Sequence, residues 1–161
     1  MGGLVETVRT ARPDLEVSDA FGAALEARIA SARAAWRDVD LDAERFAAHV
    51  AARLAPPVAS LDQLHVEDLY LACASLEGLP AAIAAFDRTC SAGIDLALGA
   101  AGVGISELAR VRRHVRDRLL VAADGAPPRL ASYAGKGSLG SWVRIHAMRE
   151  AQRLFAQGAP R

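Results

Sequence analysis

The chain has 161 residues, is 52% apolar but only 5% aromatic, and carries a formal net charge of zero. That length suits one domain with a real core, and an interior of Ala, Leu and Val favours closely packed helices over a β-sandwich. No apolar run approaches the roughly 18–20 residues needed to cross a membrane, and the N-terminus has no basic-then-apolar signal plan, so a cytoplasmic protein is expected.

The predicted elements are helical throughout. Pro13 ends a short N-terminal segment expected to be poorly ordered. Ser18 or Asp19 caps a helix to about Trp36, with Phe21, Leu25, Ile29 and Ala32 on one face. Asp40 or Asp42 starts a second, built on Phe46, Val50 and Leu54 and stopped by Pro56-Pro57. A third covers Leu61 to Leu76. Gly78 and Pro80 separate it from a fourth, whose stripe is Ile83, Phe86, Cys90, Ile94, Ala97 and Leu98. After Gly99, Gly102 and Gly104, Ser106 caps a fifth helix to about Ala122. Its apolar side holds Leu108, Val111, Val115, Leu119 and Leu120, with Val111, Val115 and Leu119 expected to face the core, while Arg110, Arg112, Arg113, Arg116 and Arg118 fill most of the rest. A turn at 124–129 and a loop at 130–140 lead to a sixth helix, from Ser138 or Ser141 to Phe155. The expected fold class is therefore all-α, a domain of about six helices with short connections.

Charge is unevenly spread along this order. Residues 1–60 carry seven basic and nine acidic side chains, 61–104 only Arg88 against six acids, and 105–161 eleven basic against four acidic. One end of the molecule is thus suited to a polyanion or an acidic protein surface. The alternative is that the basic third is neutralised internally by the acidic middle.

Little in the chain could do chemistry. Gly135-Lys136-Gly137-Ser138 echoes the end of a phosphate-binding loop, but position 130 is Leu where the first glycine belongs and no strand precedes it. His49, His65, His114 and His146 are not spaced to share a helical face, and Cys73 and Cys90 read as buried thiols. No catalytic residue, metal site or cofactor is expected. Binding is better supported: arginines cluster on two helices around a glycine-rich hinge with Tyr133 and Trp142 at its ends. Backbone phosphates attract such cations and exposed rings stack on unpaired bases.

The stretch Ser132 to Arg153 (SYAGKGSLGSWVRIHAMREAQR), following the basic helix, resembles region 2 of sigma-70 family transcription initiation factors, especially the extracytoplasmic-function type. The opening helix and break at Asp68–Phe86 are also similar to that family. The resemblance covers about residues 65–157, making 61–161 a region 2-like domain and 1–60 an N-terminal helical extension. It implies a non-catalytic module that binds RNA polymerase core, at the clamp of the largest subunit, and recognises and melts the promoter DNA −10 element. By that likeness Tyr133, Lys136, Ser138, Trp142, Arg144, Arg149 and Arg153 contact DNA, with a flipped base held by the 132–141 loop. Arg110, Arg113, Arg116 and Asp117 dock on polymerase. An anti-sigma or other regulatory protein is a further partner of this reading.

Three features depart from the family pattern. Arginines replace the usual Gln and acids of the docking helix, the common promoter-reading asparagine is missing near Met148-Arg149, and the helix-turn-helix that reads the −35 element, region 4, is lacking. The alternative is a helical protein-interaction or regulatory module that has lost promoter recognition.

Overall fold

Ser18 and Asp42 start helices in the expected way. Ser18 Oγ accepts the Phe21 N–H at 3.1 Å, and Asp42 Oδ2 accepts that of Arg45 at 3.0 Å, each satisfying an amide that the helix itself leaves open. The protein was analysed as a computed structural model that describes residues 2–156. Among the described residues there are seven α-helices and no strand. In order they are α1 (Gly2–Ala11), α2 (Asp19–Ala35), α3 (Ala43–Ala51), α4 (Val66–Leu76), α5 (Pro80–Ala100), α6 (Leu108–Leu120) and α7 (Leu139–Ala156). Two 3-10 turns, Ile105–Glu107 and Arg129–Ser132, precede α6 and the final loop. No described helix is long and apolar enough to cross a membrane.

The all-α expectation holds, and four details change. The N-terminal segment is a helix, because Leu4, Val5 and Val8 are buried and form a one-sided stripe that packs α1 on α2 and α3. The second expected helix ends at Ala51, before Pro56. The third starts at Val66 rather than Leu61, because Gln63 sits at φ +68°, in the left-handed region that no helix continues through. Ser106 lies within the 3-10 turn before α6 and makes no side-chain cap.

The helix α4 is the central rod. Val66 and every residue from Leu69 to Ser75 are buried, so neighbours surround it. Its ties to the first third are polar as well as apolar. The Tyr70 hydroxyl donates to the Val39 carbonyl (3.0 Å) and accepts from the Leu41 N–H (3.2 Å). Trp36 Nε1 donates to the Glu67 carbonyl at 2.9 Å, and Arg28 forks onto the Glu67 carboxylate at 2.9 and 3.2 Å. The buried side chains from Leu4 to Ala151 form one cluster, so residues 1–60 share a core with the later helices. Cys73 and Cys90 are buried free thiols in it, both pushed up to about 12 by burial. The last three helices complete the fold: α5 packs against α4 and most extensively against α7, and α6 lies beside both.

Candidate nucleic-acid interface

The loop between the second 3-10 turn and α7 is fixed from three sides. Arg53, just beyond α3, donates from Nε to the Tyr133 carbonyl (2.8 Å) and from Nη2 to the Ala131 carbonyl (2.6 Å), while Nη1 holds the His49 carbonyl (2.9 Å). The His65 N–H donates to the Gly135 carbonyl at 2.8 Å, and Asp68 Oδ2 accepts the Leu139 N–H at 2.9 Å. Gly135 itself has φ +76° and lies against α4; a Cβ there would stand 2.6 Å from Leu69 Cδ1. Only glycine fits both the backbone conformation and the space. Its place in the sequence echo of a phosphate-binding loop is thus explained by packing.

Tyr133 corrects the expectation of an exposed stacking ring. It is 1% exposed, its hydroxyl donates to the Gly137 carbonyl at 2.6 Å, and burial raises its pKa. Trp142 is half-buried, meets Tyr133 edge-on (centroids 5.7 Å apart, 61° between planes) and stacks on His146 (3.9 Å, 27°). A base approaching that face of Trp142 therefore meets His146 first. Burial, and then the cations Arg149 and Arg129, pull His146 below its ordinary value, favouring the neutral ring. Ser138 is exposed and caps the start of α7: its Oγ accepts the Ser141 N–H at 3.2 Å and lies 3.0 Å from Ser141 Oγ.

The cations separate into committed and open groups. Lys136 and Arg149 are exposed and have no ion pair among the described residues. Arg144 makes one long contact, Nη2 to Ser141 Oγ at 3.4 Å, and its stem lies across Gly93 of α5, where a Cβ would come within 3.0 Å of Arg144 Cγ. Arg144 and Arg149 flank a groove of about 590 Å³ between α5 and α7, whose floor includes Leu96, Ile145 and Met148. Leu96 is 70% and Ile145 53% exposed. Arg153, by contrast, leans on Glu150 at 3.0 Å.

On α6 the expected core face is observed, with Val111, Val115 and Leu119 all buried. The expected docking set divides. Arg116 forks onto Asp87 at 2.8 and 3.2 Å, and Arg112 onto Asp95 at 2.6 and 3.0 Å. The order of these pairs makes α6 antiparallel to α5. Arg116 is therefore an internal tie and not an open docking cation, a correction to the expected set. Arg110 is bound to Glu107 at 2.7 Å. Arg113 and Asp117 are exposed, and Asp117 stands 3.8 Å from Arg116.

Two important side chains went unnoticed in the sequence. Arg53 has no local signal, since the loop carbonyls it holds lie about eighty residues away. Glu150 could have been found: Val143, Ala147, Glu150 and Ala151 are all buried on α7, a spacing that places the carboxylate on the apolar face. Among the described residues no group of three or more His, Cys, Asp or Glu could hold a metal ion. No family model matches the chain, and neither curated proteins nor solved structures yield a match.

Proposed function

We propose that the protein is a sigma-like, non-catalytic module that binds promoter DNA through the α7 face and RNA polymerase core through the outer face of α6. The observation that carries this reading is the pair Arg144 and Arg149, open to solvent on either side of an apolar groove, with Lys136 exposed on the preceding loop. Guanidinium groups take phosphates, and apolar walls between them suit the faces of unstacked bases. The triply anchored loop supports the same reading, because a prearranged edge loses less conformational entropy on binding. On α6, Arg113 and Asp117 remain as the outward polymerase contacts.

The test is a salt titration of single-stranded −10-like DNA binding by wild type and a Lys136→Ala, Arg144→Ala, Arg149→Ala variant. Affinity is expected to drop, with the log–log salt slope shrinking by about 0.7 per lost phosphate contact. An unchanged slope would remove these residues from the interface. Titration with polymerase core, competed by a genuine sigma factor, tests the other half; Arg113→Glu is expected to weaken it.

The exposed Leu96 and Ile145 favour a second reading, a protein-interaction module that seats an amphipathic helix in the groove. Ile145→Asp separates the two. It should abolish helix docking, whereas a strand held mainly by its phosphates would lose far less affinity.

A further inference from the structure

Beyond that interface, the opposite flank of α7 carries a second concentration of positive charge, built around a buried acid. The Glu150 side chain is only 6% exposed, and three arginines converge on it. Arg153 Nη1 donates to Oε1 at 3.0 Å, Arg129 Nη2 stands 3.3 Å from the same oxygen, and Arg118 Nε is 3.8 Å from Oε2. One carboxylate neutralises one guanidinium, so the cluster keeps an excess of two positive charges.

Part of that excess borders a concavity. Arg118 and Arg129 line a pocket of about 420 Å³ together with Val121, Ala126, Pro127 and Pro128. The Arg118 side chain is 25% exposed, yet among the described residues neither it nor Arg129 completes a side-chain hydrogen bond. A guanidinium carries five donors, so both arginines keep N–H groups for a ligand, Arg118 half-buried and Arg129 with a side chain 43% exposed. The turn that presents Arg129 is set: the Ser132 hydroxyl donates to the Arg129 carbonyl at 2.8 Å, and Ala123 and Ala126 exchange backbone hydrogen bonds at 2.9 and 3.1 Å.

We propose that this pocket binds a small phosphomonoester with an apolar body, Arg118 and Arg129 taking the phosphoryl oxygens while Val121, Ala126 and Pro127 cover the rest. A phosphomonoester carries about −1.5 to −2 charges at neutral pH, comparable to the excess of the whole cluster with Arg153 included. Planar guanidinium forks suit its oxygens in pairs. The volume is too large for a bare phosphate and lies within the usual size of small-molecule sites. Glu150 acts as the internal counter-charge that holds the arginines beside the pocket. The proposal is independent of promoter or polymerase binding.

Calorimetric titration of the full chain with deoxyadenosine 5′-monophosphate, a probe of this class, tests it. Saturable binding is expected at neutral pH, falling about tenfold or more, the loss of one charge-assisted fork, in Arg129→Gln. Because charge substitutions also touch Glu150, Ala126→Trp provides a second variant: it fills the pocket from an exposed position, leaves all four charged groups in place, and should reduce binding as strongly. Absence of saturation at low-millimolar nucleotide, or equal affinity in Ala126→Trp, overturns the proposal. Competing oligonucleotides identify the source of the phosphoryl group. Competition by neither a 5′-phosphorylated nor an unphosphorylated strand assigns it to a free small molecule. Competition by the 5′-phosphorylated strand alone assigns it to a strand end. Equal competition by both overturns the proposal, since backbone diesters would then suffice.

Discussion

Arginine is used in two opposed ways on neighbouring helices. On α6, Arg112 and Arg116 each meet an aspartate of α5 in a two-pronged contact, and their charge is consumed in fixing one helix against another. On α7, Arg144 and Arg149 find no acid among the described residues and border an apolar groove. Residue counts place both pairs in the same basic third, yet only the second presents charge to a partner. The external field of a protein depends on which cations lack an internal acid, and a run of arginines on a helix settles that only once its neighbour is known.

Aromatic residues show the same division within the loop, and substitution there has the largest expected effect. Tyr133 is fully buried, so Tyr133→Ala should lower unfolding free energy by about 3–5 kcal/mol, the usual cost of removing a core aromatic ring, as read by urea denaturation. Trp142→Ala, at a half-buried position, should cost clearly less and should reduce single-strand binding in a folded protein. Equal stability losses at the two positions would erase the distinction between core ring and interface ring.

The next effect is one of pH. Burial, then Arg53, holds His49 down to about 4, from an ordinary 6.5, and its Nε2 is buried without a hydrogen-bond partner among the described residues. The unfolded chain therefore takes up this proton at higher pH than the folded one. Stability from His49 is complete above pH 6.5 and is lost as pH falls towards 4, by at most about 3 kcal/mol. Arg28 holds Glu67 down to about 2, and its contribution fades later, as pH falls from about 4.5 towards 2. A thermal-melt series from pH 7 to 4 should show a steady decline in wild type and a flatter profile in His49→Gln. Parallel profiles would mean that His49 gains water in solution.

Much of the helical fold was legible in the residue pattern alone, for local reasons. Ser18 or Asp19 and Asp40 or Asp42 announce helix starts, which the structure places at Ser18 and Asp42, and the spacing of Val111, Val115 and Leu119 fixes the buried face of α6. Legibility fails where the determining contact is distant or where packing overrides propensity. The helix α1 begins with glycines, poor helix formers, and is held by burial of Leu4, Val5 and Val8. Gln63 adopts a left-handed backbone that its side chain does not announce. In the candidate site, Lys136, Arg144 and Arg149 were legible as exposed cations because no acid among the described residues claims them. Tyr133, Arg112 and Arg116 were not, because their partners Arg53, Asp95 and Asp87 come from other helices or their ends.

Arg53 makes the loop's dependence on the first third testable at a smaller scale. In Arg53→Met the apolar stem is retained, while the Tyr133, Ala131 and His49 carbonyls lose their donor. A loss of about 1–3 kcal/mol is expected for unsatisfied buried acceptors, together with faster amide exchange at Gly135 and Lys136. Wild-type exchange rates in that variant would show that α4 alone positions the loop, through His65 and Asp68.

The smallest expected effect bears most directly on the two arginine populations. The Arg112–Asp95 and Arg116–Asp87 pairs are each roughly one-third exposed, so water screens them, and Arg116→Gln should cost no more than about 1 kcal/mol despite its two-pronged geometry. A double-mutant cycle with Asp87→Asn isolates the coupling, which should account for most of that loss. Asp87→Asn alone supplies the sharper result. It frees the Arg116 charge without moving the helix, so binding to a polyanion should become tighter and its salt dependence steeper. If the slope stays at the wild-type value, Arg116 remains turned towards α5 without its acid, held by packing of its stem, and internal pairing is not what separates the two populations.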